Sequence, residues 1–153
     1  MNQIAALLPP SNIVVDLDVG SKAAFFTAIG ELFERSAGLP RARVAASLAA
    51  REKLGSTGLG QGIAIPHGRI ARLPAAIGAF ARLRAPIAFD APDGKPVDQV
   101  FVLLVPEQAT DRHLQLLSEL AQMFSQRTFR ERLATAPDAA GIGALFRDWP
   151  TEA

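Results

Sequence analysis

Three side chains of this sequence are of types that suit phosphoryl transfer: His67, His113 and Arg51, and the two histidines are the only ones in the chain. One imidazole can attack as the neutral ring while a second donates a hydrogen bond, and the planar guanidinium of an arginine can neutralise phosphoryl oxygens. Phosphoryl transfer asks a protein mainly for positioning and charge stabilisation. These residue types predict a phosphoryl group carried on one imidazole nitrogen, if the fold brings them together.

The local sequence around each histidine leaves a structural interpretation open. His67 ends the apolar run "GIAIPH", which reads as a strand, and lies between Pro66 and Gly68. The carboxyl ends of strands in α/β sheets are where ligands usually bind, and Gly68 would leave room for a large partner. His113 follows Thr110, a predicted N-cap, and so falls in the first turn of a helix, where free N–H groups favour anions. The same patterns also fit the alternative that His67 has only a structural role and that His113 is an ordinary residue on a helix surface.

The glycine-rich stretch before His67, "GSTGLGQG" from Gly55, matches neither of the two common nucleotide-binding patterns. A P-loop requires Lys and Ser or Thr after its last glycine, but Gln61 and Gly62 follow Gly60. The dinucleotide fingerprint requires a glycine where an isoleucine stands. Two interpretations remain: a flexible connection, or a loop that lets another backbone or a phosphoryl group approach closely.

Composition excludes several other chemistries. The chain has no cysteine, and two histidines alone make a poor zinc site. No G-x-S-x-G elbow of a serine hydrolase is present. Lys plus Arg is 16 and Asp plus Glu is 15, which leaves no basic footprint for nucleic acid. The N-terminus lacks a positively charged leader and the apolar runs are too short to span a membrane, so we expect a cytoplasmic protein without membrane insertion. We also expect no metal and no cofactor.

The elements that must position these residues follow from periodicity and caps. Ser21 predicts the start and Gly38 the end of one helix, and a second helix over 40–53 places Val44, Leu48 and Arg51 on one face. Strands are predicted at "NIVVDLDV", "GIAIPH", "AAIGAFARL" and "QVFVLLVP", the last a central strand covered on both faces.

The remaining chain is predicted to be helical from Thr110 onwards. The first of these helices has an apolar stripe at Leu114, Leu117, Ala121 and Phe124. Together the elements predict a single three-layer α/β/α domain over residues 1–153, with a mixed β-sheet flanked by helices on both sides.

The stretch "REKLGSTGLGQGIAIPHG" resembles the active-site signature of the fructose/mannitol-type IIA domains of the bacterial phosphotransferase system. The matching positions run from Glu52 through Leu59 and Gly60 to the segment 63–68. The similarity extends over nearly the whole chain. A lone IIA domain and the wording "PIAFDAPDGKPVD" make it most similar to the nitrogen-regulatory branch, EIIA-Ntr.

The resemblance implies a role for each candidate residue. His67 would be phosphorylated on Nε2, as a tele-phosphohistidine, by an HPr-like carrier protein (NPr in this branch). His113 would hydrogen-bond the phosphoryl group, and Arg51 would stabilise its charge. A partner-docking loop would comprise Ser56, Thr57, Gly58, Leu59 and Gly60, with the glycines leaving space for the partner's histidine.

The output implied by the resemblance is regulation of target proteins, such as transporters or sensor kinases, according to phosphorylation state. Two alternatives stay open. The first is a sugar-specific IIA component that passes phosphate to a IIB domain. The second is an interaction domain whose His67 is never phosphorylated.

Overall fold

The fold is built on a six-stranded mixed sheet with strand order β1-β5-β6-β3-β2, in which β4 also pairs with β6. The computed structural model describes residues 2–108 and 110–150. The strands are β1 (Ile13–Leu17), β2 (Gly58–Gly60), β3 (Ile63–Ala64), β4 (His67–Ile70), β5 (Ile77–Ile87) and β6 (Val97–Pro106). The helices are α1 (Gln3–Ala6), α2 (Lys22–Ala37), α3 (Arg41–Lys53), α4 (Thr110–Ser125), α5 (Arg127–Thr135) and α6 (Ala139–Arg147), with a short 3-10 turn over Pro10–Asn12.

Strand β6 is the central strand, as its continuous run of apolar residues predicts. It pairs antiparallel with β5 on one side and parallel with β3 and β4 on the other. Every side chain from Val100 to Val105 is fully buried, because both faces of the sheet are covered. Within residues 2–108 and 110–150, no helix combines the length and apolar character that a membrane span requires.

Helices cover both faces of the sheet, which confirms the predicted three-layer architecture. On one face, Phe101, Leu103 and Val105 of β6 belong to a core that includes buried residues of α1, α4, α5 and α6. On the other face, Val100 and Val102 join a core formed with α2 and α3. Successive residues of β6 therefore alternate between two separate cores, as the period of a strand requires.

The first long helix begins and ends where the sequence predicts. Ser21 is the N-cap of α2 and its Oγ accepts a hydrogen bond of 3.1 Å from the backbone N–H of Ala24. Gly38 follows the last turn with a φ of 70°, the left-handed conformation that favours glycine at this position. The next helix, α3, begins at Arg41, one residue later than predicted, because Pro40 is its N-cap.

The apolar stripe predicted for α4 is wrong in its position. Leu114 and Ala121 are exposed, and the side chains that α4 buries against the sheet are Leu116, Leu120, Met123 and Phe124. The predicted residues and the observed buried residues both have helical spacing. Packing of α4 against the sheet determines that the second set is buried. Thr110 is the first residue of the helix rather than its predicted N-cap, and the cap position, residue 109, lies outside the described residues.

The glycine-rich stretch forms a β-hairpin rather than a flexible connection. Strand β2 pairs antiparallel with β3, and the two residues between them, Gln61 and Gly62, have φ values of 57° and 81°. Positive φ at both central residues is what a type I′ hairpin turn requires. The signal in the sequence was the Gln61-Gly62 pair, which directly follows another glycine, Gly60.

Candidate functional site

His67 lies within an interrupted strand of the sheet. Strands β3 and β4 keep one register against β6, with Ala64 opposite Val100 and His67 opposite Leu103. Pro66 lies at the interruption, and its carbonyl oxygen accepts a hydrogen bond of 3.0 Å from Leu103 N–H. The prediction that His67 ends a strand is wrong, because pairing with β6 continues to Ile70.

The half-buried His67 ring is held by its own backbone. Its Nδ1 lies 2.9 Å from the carbonyl oxygen of Ile65. A carbonyl can only accept, so this contact assigns the ring proton to Nδ1 in the neutral imidazole. The lone pair is then on Nε2, the atom that the resemblance implies as the phosphate acceptor.

Arg51, in the last turn of α3, contacts that same nitrogen. Its Nε–H donates to His67 Nε2 over 3.2 Å, and its Nη1 donates to the carbonyl oxygen of Gly55 over 2.9 Å. Val44 and Leu48, buried on the same face of α3, fix the helix against the sheet. The predicted face of α3 therefore brings Arg51 to His67.

His113, in the first turns of α4, completes the cluster. Its ring centroid lies 5.1 Å from that of His67, and the two ring planes meet at 70°. His113 Nε2 is buried and has no hydrogen-bond partner within the described part of the chain. A buried polar nitrogen without a partner is costly, which marks this atom as one that a ligand group could satisfy.

Burial and neighbouring charges keep both imidazoles neutral at pH 7. Burial lowers the pKa of His67 from its usual 6.5 and the Arg51 charge adds to this, while the Ile65 carbonyl and the Glu52 charge act in the opposite direction. Burial also lowers the pKa of His113, and repulsion from Arg69, Arg51 and the protonated form of His67 acts in the same sense. A neutral ring is the form that can attack phosphorus.

The predicted docking loop divides into a buried and an exposed part. Ser56 Oγ donates to the carbonyl oxygen of Phe89 over 2.6 Å, and Thr57 is 5% exposed. Gly58 packs against Ala91, where a β-carbon would come within 2.8 Å of the alanine methyl group. The side chain in the loop that faces solvent is Leu59, which is 45% exposed.

The lining of the cavity beside His67 is partly apolar and forms a rim that includes exposed Leu59. Among the described residues, the exposed large hydrophobic side chains are Leu54, Leu59 and Leu114. A cavity of about 330 Å³ is lined by Arg51, Ser56, Thr57, Gly58, Leu59, Ile65, His67, Leu117, Ser118 and Ala121. Leu117 and Ala121 of the predicted α4 stripe line this cavity, and Leu117 also packs against the core.

Gly68 serves the packing of α3 rather than the approach of a partner, which corrects the prediction. It is buried, and a β-carbon there would overlap Ser47 Oγ of α3. The absence of a side chain lets α3 lie close to β4. Gly68 therefore contributes to the distance between Arg51 and His67.

Sequence reasoning missed an ion pair next to the site. Glu52, next to Arg51, is 9% exposed and forms a salt bridge of 2.9 Å with Lys22 at the start of α2. Burial opposes the charged form of Lys22, but the hydrogen bonds and charges of Glu52 and Asp90 outweigh it and raise the pKa of Lys22. One signal was available in the sequence. A glutamate in the last turn of a helix interacts unfavourably with the helix dipole, which indicates that a cation elsewhere in the fold stabilises it.

Comparison with known proteins identifies the class. The family model described as "Phosphoenolpyruvate-dependent sugar phosphotransferase system, EIIA 2" matches residues 6–149, and the chain belongs to this family. The nitrogen regulatory protein of Pseudomonas aeruginosa is 44% identical over 151 residues, which cover 97% of each chain. That of Escherichia coli is 44% identical over 129 residues, covering 84% of this chain and 79% of the relative.

Solved structures agree with these relatives. The nitrogen regulatory protein IIA-Ntr from Neisseria meningitidis has a TM-score of 0.89 at 55% identity, covering 94% of this chain and 99% of that one. The IIA mannitol structure from Escherichia coli shares the fold, with a TM-score of 0.75 at 21% identity, covering 90% of this chain and 96% of that one. The resemblance to the nitrogen-regulatory branch is confirmed.

Proposed function

We propose that this protein is a phosphocarrier with a regulatory output in the nitrogen phosphotransferase system. His67 accepts a phosphoryl group on Nε2 from the phosphohistidine of an HPr-like carrier. The observation that carries the proposal is the Nδ1 contact with Ile65, which leaves the Nε2 lone pair beside the Arg51 guanidinium. The predicted cytoplasmic location, and the prediction of a single domain, are parts of the same proposal.

Transfer begins when Arg51 gives up its hydrogen bond to His67 Nε2. The lone pair of Nε2 then forms a bond to phosphorus, while the phosphorus–nitrogen bond of the donor breaks and its electron pair returns to the donor imidazole. The freed guanidinium turns to the phosphoryl oxygens, where charge-assisted hydrogen bonds are strongest. His113 Nε2, with its proton on that nitrogen, donates to another oxygen and gains the partner that it lacks.

Docking uses the partly apolar rim beside His67. Exposed Leu59 lies in the wall of the cavity that contains His67, so a carrier that covers it brings its own histidine to Nε2. A phosphoryl group adds about 1.5 to 2 negative charges at neutral pH. A regulated target that buries the same rim must desolvate this charge, which is costly unless it supplies a cation. Phosphorylation therefore weakens the binding of such a target.

The test is intact-mass spectrometry after incubation with the purified, already phosphorylated carrier in excess EDTA. Wild type should gain one phosphate adduct that acid removes and alkali does not, because the bond is a phosphoramidate. His67→Ala should gain none, while His113→Ala should still gain it, more slowly. An undiminished adduct on His67→Ala, or a requirement for metal, would contradict the proposal.

A separate arm addresses the sugar-transport alternative. The phosphorylated protein is mixed with purified IIB domains of the fructose and mannitol systems, and the IIB mass is followed. Under the proposed function, these domains remain unlabelled while phosphate returns readily to the carrier. Rapid labelling of a IIB domain would favour the sugar-specific alternative.

A further inference from the structure

A fully hydrogen-bonded carboxylate belongs to Glu52, the residue that follows Arg51. Glu52 Oε1 accepts from Thr57 Oγ1 over 2.6 Å, and both carboxylate oxygens lie within 3.2–3.3 Å of the Thr57 backbone N–H. Oε2 also accepts from Lys22 Nζ over 2.9 Å. Burying a carboxylate is costly unless such partners satisfy it, so this arrangement is a specific feature of the fold rather than a solvated surface pair.

A continuous series of hydrogen bonds leads from this carboxylate to the His67 ring. Thr57 donates to Glu52, and the Thr57 carbonyl oxygen accepts from Ile65 N–H over 3.0 Å. The Ile65 carbonyl oxygen then accepts from His67 Nδ1–H over 2.9 Å. All these bonds are oriented in one sense, with the proton on the side away from Glu52. The donor and acceptor groups of Thr57 and of Ile65 are separated by Cα, so the series fixes the position of the Ile65 carbonyl, while the Glu52 charge acts on the ring through space.

The backbone turn that follows Glu52 also holds Arg51 in place. The turn that connects Glu52 to Thr57 is closed by a hydrogen bond of 3.2 Å from Gly55 N–H to the Glu52 carbonyl oxygen. The Gly55 carbonyl oxygen in that turn accepts from Arg51 Nη1. Lys22, the counter-ion of Glu52, lies over the Phe89 ring at 4.9 Å from its centroid and is thereby fixed in turn.

We propose that Glu52, with Lys22 as its counter-ion, is a positioning residue for phosphoryl transfer at His67, acting through Thr57 and Ile65. It holds the tautomer in which Nδ1 carries the proton and Nε2 the lone pair. It also stabilises the positive charge that the ring gains when Nε2 bonds to phosphorus and Nδ1 keeps its proton. The effect of Glu52 on phosphoryl transfer rests on the proposed function. Its effect on the tautomer of the unphosphorylated His67 ring does not.

Charge supports the geometry. The ionisable groups that act on His67 are Arg51 from α3, His113 from α4 and Glu52. Glu52 opposes burial and Arg51 by raising the pKa of His67. The Ile65 carbonyl and the Glu52 carboxylate thus both favour positive charge on a ring that burial and Arg51 keep neutral, which is what transfer to a neutral nitrogen requires.

The experiment compares wild type with Glu52→Gln, which keeps the size of the side chain and removes its charge, and with Thr57→Val, which removes the hydroxyl. Glu131→Gln, an exposed carboxylate paired with Arg127, is the matched control. Nitrogen-15 NMR of the imidazole rings reports the tautomer and the pKa of His67. Single-turnover labelling by the phosphorylated carrier reports the rate at saturation and the half-saturating concentration.

For Glu52→Gln we expect a lower His67 pKa, loss of the single Nδ1-protonated tautomer, and a saturating rate that falls about tenfold to a hundredfold, the scale for losing a hydrogen bond to a charged group. The half-saturating carrier concentration should not change, because the docking rim is intact. Thr57→Val should show smaller changes in tautomer and rate, and Glu131→Gln none.

A folded Glu52→Gln protein with wild-type tautomer, pKa and rate would overturn the proposal. If Glu52→Gln does not fold, Thr57→Val decides: a wild-type tautomer and rate in that variant would overturn it. If wild type accepts no phosphate although the variants change the tautomer, the proposed function fails and the effect of Glu52 on the ring is supported.

Discussion

Replacing Gly68 with alanine tests whether the distance between α3 and β4 controls the site. The new methyl group would overlap Ser47 Oγ, and Ser47 Cβ would lie only 3.2 Å from it. Ser47 and Arg51 are four residues apart and therefore share one face of α3. A displacement of α3 at Ser47 moves the guanidinium away from His67, where the Nε–Nε2 distance is already 3.2 Å.

The expected loss in the free energy of unfolding of Gly68→Ala has two parts. Ser47 Oγ must rotate away, which breaks its hydrogen bond of 3.0 Å to the Arg69 carbonyl oxygen and costs about 1 kcal/mol. The β-carbons must then separate by a few tenths of an ångström within a packed layer, which costs a further 1–2 kcal/mol or so. We expect the free energy of unfolding to fall by about 2–3 kcal/mol and phosphoryl transfer to slow by about tenfold, since misplacements near 1 Å can cost a hundredfold.

Urea unfolding and single-turnover labelling measure the two effects. Gly20→Ala is the control, because nothing lies within 4 Å of the β-carbon that it adds. In a Ser47→Ala background there is no serine hydrogen bond left to break, so a double-mutant cycle should return a coupling of about 1 kcal/mol between Gly68→Ala and Ser47→Ala. A Gly68→Ala protein with wild-type stability and rate, or a cycle without coupling, would refute this account of the packing.

Four further predictions concern the site itself. The rate of phosphate acceptance should fall in acid with a midpoint below 6.5, because the pKa of His67 is lowered and only the neutral ring attacks; a midpoint above 6.5 would contradict the burial argument. Since the pKa of His113 is lowered as well, the unfolded chain takes up protons first as the pH falls below about 6.5, so the free energy of unfolding should decrease there, and less so in His113→Gln. Arg51→Lys should slow transfer by about tenfold, because an ammonium cannot reproduce the two directed contacts of the guanidinium, and a wild-type rate would exclude that role. Leu59→Asp should raise the half-saturating carrier concentration without changing the circular dichroism spectrum, whereas Ala140→Asp, in the first turn of α6, should leave it unchanged.

The sequence was most informative where a local rule decides the structure. Ser21 and Gly38 bound α2 because capping depends on residues a few positions apart. The apolar run of β6 predicts burial on both faces because no other environment suits it. Arg51 was placed correctly because helical spacing puts it on the face that buries Leu48.

Tertiary packing decided what the sequence could not. On α4 two apolar stripes had helical spacing, and contact with the sheet buried the one that contains Leu116, leaving Leu114 exposed. The hairpin of β2 and β3 lacks β-branched residues in its first strand, so strand propensity did not reveal it. The pairing of Lys22 with Glu52 joins residues thirty positions apart and follows no local period.

The backbone hydrogen bond from Leu103 N–H to the Pro66 carbonyl oxygen bears on how partners distinguish the phosphorylated protein from the free protein. It ties the backbone beside the acceptor histidine to the most deeply buried strand of the sheet. The Leu103 amide should therefore exchange its hydrogen only through global opening, with or without phosphate on His67, while amides of the glycine hairpin exchange through local opening. Free and phosphorylated protein would then present the same backbone to every partner. Discrimination between the two states would depend on electrostatic potential at one imidazole rather than on a change of shape.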